Sequence, residues 1–145
     1  MELEKNLIQL GKKVDTKKQA IDQAGKLLVN GNCVDSGYIH SMELREQDVS
    51  TYMGNFIAIP HGTNDGKKYI KKTGISILQV PRGVRFGKND NAPNIVTVVF
   101  GIAGLKNEHL KILQQIALYC NQVSNVAKLA DAQSKEEIID LLKGV

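Results

Sequence analysis

An α/β domain with a central sheet covered by helices is the fold this sequence predicts, and three observations carry it. The run Asn94 to Ile102, with Ile95, Val96, Val98, Val99, Phe100 and Ile102, reads as a strand buried on both faces. Segments before and after it repeat apolar residues at helical spacing. No linker, internal repeat or low-complexity tract divides the 145 residues, a length that suits one domain, residues 1–145, with a real core.

The elements follow in order. Thr16 caps a first helix from Lys17 to about Val29, in which Ala20, Ile21, Ala24, Leu27 and Leu28 form one face. Asn30-Gly31-Asn32 ends it. Asp35 or Ser36 caps a second helix through about Glu46, with Tyr38, Met42 and Arg45 on one side at i, i+4, i+7. Asp48 to Asn55 reads as a loop and Phe56 to Ile59 as a strand. Pro60 stops that strand, because it biases Ile59 toward extended backbone and lacks an N–H. Gly62-Thr63-Asn64-Asp65-Gly66 is a turn-rich loop. Gly74 to Val80 is a β-type run halted by Pro81, and Gly83 to Gly87 is a separate short extended piece before the polar stretch Lys88 to Pro93. Asn107 caps a long helix through about Asn121, with Leu110, Leu113, Ile116, Ala117 and Cys120 as its core stripe. Val123 to Ala132 is a short helix. Ser134 opens the last one, where Glu137 completes a capping box and Ile138, Ile139, Leu141 and Leu142 face inward.

Composition narrows the function classes. Apolar residues make up 42% and charged residues 23%, an ordinary globular balance with no apolar run long enough to span a membrane. The N-terminus lacks a basic segment followed by an apolar stretch, so the cytoplasm is the expected location. Cys33 and Cys120 sit in no CxxC pair and read as small buried hydrophobes. The net charge of +4 comes with paired lysines at 12–13, 17–18, 67–68 and 71–72. A nucleic-acid-binding domain of this charge would bind with a steep salt dependence. Aromatic residues are only 5% and no nucleic-acid motif occurs, so a solvated basic surface is the preferred reading.

The richest chemistry lies in Ile59-Pro60-His61-Gly62-Thr63. His61 stands at the open end of a buried strand, and Gly62 lets a ligand approach closely. An imidazole so placed serves as nucleophile, base or metal ligand. His109 falls in the first turn of the helix after the Asn94–Ile102 strand. Free amides there favour anions and disfavour a protonated ring, so His109 is expected to donate a single N–H, or simply to edge an apolar face. His40 reads as a surface residue. Arg45 either offsets its helix dipole or clamps a phosphate with its planar fork. The histidine spacings match no zinc pattern, and no metal or cofactor is called for. Gly83 to Asn89 misses a Walker A loop by one residue and by its terminal hydroxyl, and no GxSxG elbow occurs.

Four ordered blocks carry a resemblance. Gly54 to Thr63 resembles the phosphohistidine motif of enzyme IIA domains of the phosphoenolpyruvate-dependent sugar phosphotransferase system, in the mannitol/fructose class (type-2 IIA). Met42 to Glu46 resembles the helix end that supplies that family's arginine. Gly83 to Gly87 resembles its mid-domain block, and Gly101 to Leu110 the block with its second histidine. The PHGT, VRFG and NEHL sequences look most like mannitol-specific members. Other members can carry an acidic residue where this chain has Asn55. The resemblance implies a three-layer sandwich, a central mixed β-sheet flanked by helices on both faces.

It also implies a function. His61 would accept a phosphoryl group from phospho-HPr as a tele-phosphohistidine and pass it to the cysteine of a mannitol-type enzyme IIB. His109 and Arg45 would stabilise the phosphate, with no cofactor or metal. The acceptor would be part of a separate membrane-bound IICB, since no IIB-like or membrane portion is present. Partners would dock over a shallow apolar ring around His61, and Phe56 lies too deep in its strand to join that ring. A regulatory module of the same fold, reporting sugar or nitrogen status, is the competing reading within the family.

Overall fold

The structure, a computed structural model, describes residues 1–145. A five-stranded mixed sheet runs β1 (Ile8–Gln9), β4 (Gly74–Arg85), β5 (Ile95–Ala103), β3 (Ile57–Ala58), β2 (Tyr52–Gly54) from edge to edge. β1 is parallel to β4, β4 antiparallel to β5, β5 parallel to β3, and β3 antiparallel to β2. Helices α1 (Lys17–Asn30) and α2 (Gly37–Asp48) cover one face. Helices α3 (Glu108–Cys120), α4 (Val123–Asp131) and α5 (Lys135–Leu142) cover the other. The expected three-layer sandwich is the observed one.

Alternation along β5 builds both cores. Val98, Phe100 and Ile102 point toward α3, α4 and α5, where they meet Ile112, Ile116, Leu129 and Ile138. Val99 and Ala103 point toward α1 and α2, against Ala24, Leu28 and Met42. Two of the local capping signals hold. The Thr16 hydroxyl accepts from Gln19 N at 3.1 Å, and the Ser134 hydroxyl accepts from Glu137 N at 3.0 Å. The Glu137 carboxylate reaches Gln133 N, one residue before the cap. No helix is long and apolar enough to cross a membrane.

Five expectations are corrected. Asp48 to Asn55 is not all loop: Tyr52–Gly54 pairs with β3 as the edge strand β2. Phe56 is not in a strand. It shares a tight turn with Asn55, both at positive φ (51° and 68°), and is 48% exposed. Asn and Gly suit such a two-residue turn, so a phenylalanine there is unusual. Pro81 does not end its strand. β4 continues to Arg85 through a bulge in which residues 80–83 oppose Thr97 alone, and Pro81 needs no ladder partner there. The stripe of α3 is rotated: Ile112, Ile116 and Cys120 are buried, whereas Leu110 is 52% exposed. Asn107 stands at the N-cap position of α3 but makes no side-chain cap bond. Strand β1 had no sequence reading at all, since two residues are too few for a period.

These placements set a contrast in stability. Phe100→Ala, at 0% exposure in the middle of β5, is expected to cost about 3–5 kcal/mol. Leu110→Ala is expected to stay within about 0.5 kcal/mol of wild type. Urea unfolding midpoints of the two variants check both values.

Candidate functional site

The site forms where two parallel strands end together. β3 and β5 run in the same direction with Ile57 opposite Val98 and Ala58 opposite Val99. The same register continues past Pro60, so that His61 lies opposite Ile102. The chain leaving β3 and the chain leaving β5 therefore emerge at one end of the sheet, and carboxyl ends of parallel strands are where open α/β sheets form crevices. His61 comes from the first chain and His109 from the second. Arg45 enters from the last turn of α2. All three line one open cavity of about 440 Å³, together with Tyr38, Thr63 and Lys67.

His61 is half-buried, and its Nδ1 lies 2.8 Å from the carbonyl oxygen of Ile59. A carbonyl only accepts, so the ring proton is assigned to Nδ1 and the lone pair to Nε2. Burial pushes the imidazole below its ordinary value of 6.5; the Ile59 carbonyl opposes that shift, Arg45 and the neighbouring His109 add to it, and Glu46 opposes it. The ring is thus neutral, with a free lone pair at Nε2, over more of the physiological pH range than a solvated histidine.

His109 is held by its approach loop. Leu105 N donates to the Thr73 hydroxyl at 3.0 Å, which ties that loop to the segment before β4. A Cβ on Gly104 would stand 2.4 Å from His109 N, so only glycine lets the loop fold onto the first turn of α3. The His109 Nδ1 is buried without a partner. A lone pair left unpaired there costs less than an orphaned N–H, which assigns the proton to Nε2. The two rings are complementary: one offers a lone pair, the other a donor.

Arg45 donates from its guanidinium to the Val49 carbonyl at 2.6 Å, across the end of α2. The loop it braces is closed from inside by Glu46. That buried carboxylate accepts from the amide of Thr51 at 2.9 Å and from its hydroxyl, and lies 3.6 Å from Lys17. His40 stays outside the site, its side chain 75% exposed. Cys33 and Cys120 are buried, unbonded and on opposite faces of the sheet, with Cys120 pushed up to about 12 by burial. The lysine pairs are dispersed: Lys17 and Lys18 face carboxylates of α1 and α2, and Lys71 faces Asp35.

Asn55, the position where other members can be acidic, has a structural account. Its side-chain amide donates to the carbonyls of Cys120 and Asn121 at 3.0 and 3.1 Å. A carboxylate cannot make those bonds. The residue fastens the β2–β3 turn to the end of α3, on a different part of the surface from the cavity.

Sequence reading missed two features. It named no acceptor for His61, because a backbone carbonyl two residues away leaves no side-chain signature. It also gave Tyr38 only a place on one side of α2 beside Met42 and Arg45, although a tyrosine buried there needs a partner for its hydroxyl.

Two histidines and an arginine thus meet in one cavity at the carboxyl end of the parallel β3–β5 pair of a mixed, helix-covered sheet. The sequence matches, over residues 1–145, the family described as phosphoenolpyruvate-dependent sugar phosphotransferase system, EIIA 2, and the chain belongs to that family. It is 53% identical over 135 residues to the mannitol-specific phosphotransferase enzyme IIA component of Enterococcus faecalis, covering 93% of this chain and 92% of that protein. Among solved structures it resembles the enzyme IIA mannitol of Escherichia coli in its complex with phosphorylated enzyme IIB mannitol. There the TM-score is 0.92 and the identity 38%, with 99% of both chains covered. The crystal structure of Escherichia coli IIA mannitol matches at TM-score 0.90 and 38% identity, covering 98% of this chain and 99% of that one.

The depressed pKa has a checkable consequence. An NMR titration of the His61 ring is expected to give an apparent pKa below 6.5, and Arg45→Gln is expected to move it upward by removing one of the opposing charges. Because the unfolded chain binds this proton more readily than the folded one, the stability associated with neutral His61 is complete above the unfolded value and declines as pH falls through the folded one. Relative to His61→Gln, the wild type should therefore lose urea resistance as the pH falls below the ordinary imidazole value of 6.5.

Proposed function

We propose that this chain is the phosphocarrier IIA component of a mannitol phosphotransferase system. His61 takes a phosphoryl group from phospho-HPr and hands it to the cysteine of a mannitol-type enzyme IIB. The observation that carries the reading is the Nδ1 contact of His61 with the Ile59 carbonyl, which leaves Nε2 as the free nucleophile in a cavity shared with Arg45 and His109. The similarity to the Escherichia coli IIA mannitol solved with its phosphorylated IIB supports the choice of acceptor.

In the first step the Nε2 lone pair of His61 forms a bond to phosphorus as the bond from phosphorus to the HPr histidine breaks, and that histidine leaves with the electron pair. The product is a tele-phosphohistidine whose Nδ1 keeps its proton and donates it in a hydrogen bond to the Ile59 carbonyl. In the second step a cysteine thiolate of IIB attacks phosphorus and the Nε2–phosphorus bond breaks, returning the lone pair to His61. Such transfers need mainly alignment and charge stabilisation. The Nε2–H of His109 donates to a phosphoryl oxygen, and the Arg45 guanidinium adds a charge-assisted contact. Lowering the His61 pKa helps acceptance by keeping the ring unprotonated. The same Arg45 charge that lowers it becomes attractive once the phosphoryl dianion is in place.

Docking is transient, over the surface around His61. Exposed Leu44 and Val49 flank Arg45 in the sequence, and exposed Leu105 and Leu110 flank His109, which supports an apolar ring with a polar centre. Phe56 belongs to the separate β2–β3 turn. The carrier works in the cytoplasm, with residues 1–145 as one type-2 IIA domain.

Intact-mass spectrometry after incubation with phosphoenolpyruvate, enzyme I and HPr tests the first step. One acid-labile phosphoryl adduct on wild type and none on His61→Ala is expected. No adduct on wild type, with HPr itself phosphorylated, would sink the carrier reading. Onward transfer to a mannitol-type IIB, measured by rapid quench, separates transport from a regulatory role. In that assay His109→Ala is expected to slow transfer by about 10²–10³-fold, the cost of one lost oxyanion donor.

A further inference from the structure

A phenolic hydroxyl stands inside the β-ladder beside His61. In a parallel pair, a residue is bridged by two bonds from the facing residue, one to the carbonyl before it and one from the amide after it. For His61 opposite Ile102 the first is present: Ile102 N donates to the Pro60 carbonyl at 2.9 Å. In place of the second, Gly62 N donates to the Tyr38 hydroxyl at 2.8 Å, and that hydroxyl donates to the Ile102 carbonyl at 2.7 Å. One oxygen atom is wedged into the ladder at the residue after His61.

The bonding fixes the direction of the relay. Gly62 N can only donate and the Ile102 carbonyl can only accept, so the hydroxyl proton must point to Ile102. Burial pushes the Tyr38 phenol up to about 12, so it keeps that proton at any physiological pH. The ring itself is 3% exposed and closely packed. A Cβ on Gly62 would stand 2.5 Å from Tyr38 Cε1 and 2.5 Å from the Ser41 hydroxyl oxygen, so Gly62 is the only residue type that lets the ring reach the ladder. The Ser41 hydroxyl donates to the Tyr38 carbonyl at 2.7 Å, one helical turn on.

The wedge acts on the segment that aims the histidine. Residues 59–62 carry the Ile59 carbonyl that holds the His61 proton, the Pro60 carbonyl still bonded to β5, and the Gly62 amide diverted to Tyr38. That diversion falls immediately after His61, whose ring lines the cavity. Tyr38 and Arg45 are both on α2, two turns apart on one side, so one rigid helix sets the His61 backbone at one point and the guanidinium at another.

We propose that Tyr38 is a positioning residue for phosphoryl transfer: its hydroxyl, inserted between Gly62 and Ile102, sets the aim of His61 Nε2 toward the incoming phosphorus. This rests on the reading of His61 as the acceptor. Tyr38→Phe removes one atom. The freed amide and carbonyl either close into a direct ladder bond, which shifts the His61 backbone, or remain unpaired, which leaves that backbone less firmly held.

The test pairs two measurements on wild type and Tyr38→Phe, after circular dichroism has shown the variant folded. Stopped transfer assays with phospho-HPr are expected to show kcat reduced about 10- to 100-fold with KM nearly unchanged, the pattern of misalignment without loss of docking. Nitrogen-15 NMR of the imidazole is expected to show a changed His61 Nδ1 environment and a titration shifted from wild type. Wild-type kcat together with an unchanged His61 ring spectrum would overturn the proposal. Wild type that accepts no phosphoryl group would instead remove the carrier reading, and the ring spectrum would still report whether Tyr38 positions His61. Should Tyr38→Phe not fold, hydrogen exchange on wild type decides. A Gly62 amide protected like its β5 neighbours supports the wedge, and one exchanging at the rate of an exposed loop overturns it.

Discussion

The parallel pairing of β3 with β5 is the constraint on which the site depends. A two-residue strand has little hold of its own, yet its register against β5 delivers His61 opposite Ile102, at the end of the sheet from which the chain also departs toward His109. An antiparallel arrangement would send the two chains to opposite ends of the sheet. Because β3 is short, its position relies on burial: Ile57 and Ala58 are almost completely covered, one toward each core. The antiparallel β2 on its outer side and the Asn55 bonds to the end of α3 hold the other flank.

α2 is the second organising element, and it works through polar atoms. Its buried face presents the Tyr38 hydroxyl to the ladder, its last turn presents Arg45 to the cavity, and Glu46 stitches the loop beyond to Thr51. Glu46 is buried at a place where an unpaired carboxylate would be costly. Two donors from Thr51 and the nearby Lys17 ammonium offset that cost. The result is a site whose three candidate side chains come from three separate parts of the chain: His61 and Arg45 bond to backbone carbonyls, and His109 is placed by the fold of its loop.

Much of this was legible in the sequence where signals are local. Thr16 and Ser134 mark helix starts because their hydroxyls meet amides three residues on. The β5 run announces a strand covered on both faces, and Pro60-His61-Gly62 announces a strand end with an imidazole on it. Where the local pattern was ambiguous, reading went astray. Leu110 fits a helical stripe as well as Ile112 does, but the helix rolls so that Ile112, Ile116 and Cys120 meet β5. Phe56 has strong strand propensity, yet the turn between β2 and β3 must fall at Asn55-Phe56 to put Tyr52 opposite Ala58. Pro81 ends most strands, but the bulge opposite Thr97 gives it a place where a missing N–H costs nothing.

The amino-acid sequence by itself singled out His61, His109 and Arg45 as the candidates for chemistry, and determined which segments fold as helices. Those facts depend on side-chain identity, capping and periodicity within a few residues of chain. The tertiary structure decided that the three meet in one cavity, that the Ile59 carbonyl holds the proton of His61, and that the Tyr38 hydroxyl replaces a ladder bond next to it. Those depend on partners up to 64 residues apart, as Tyr38 and Ile102 are. Such contacts are selected by burial and by the bonding needs of buried polar groups, which no local window of sequence contains.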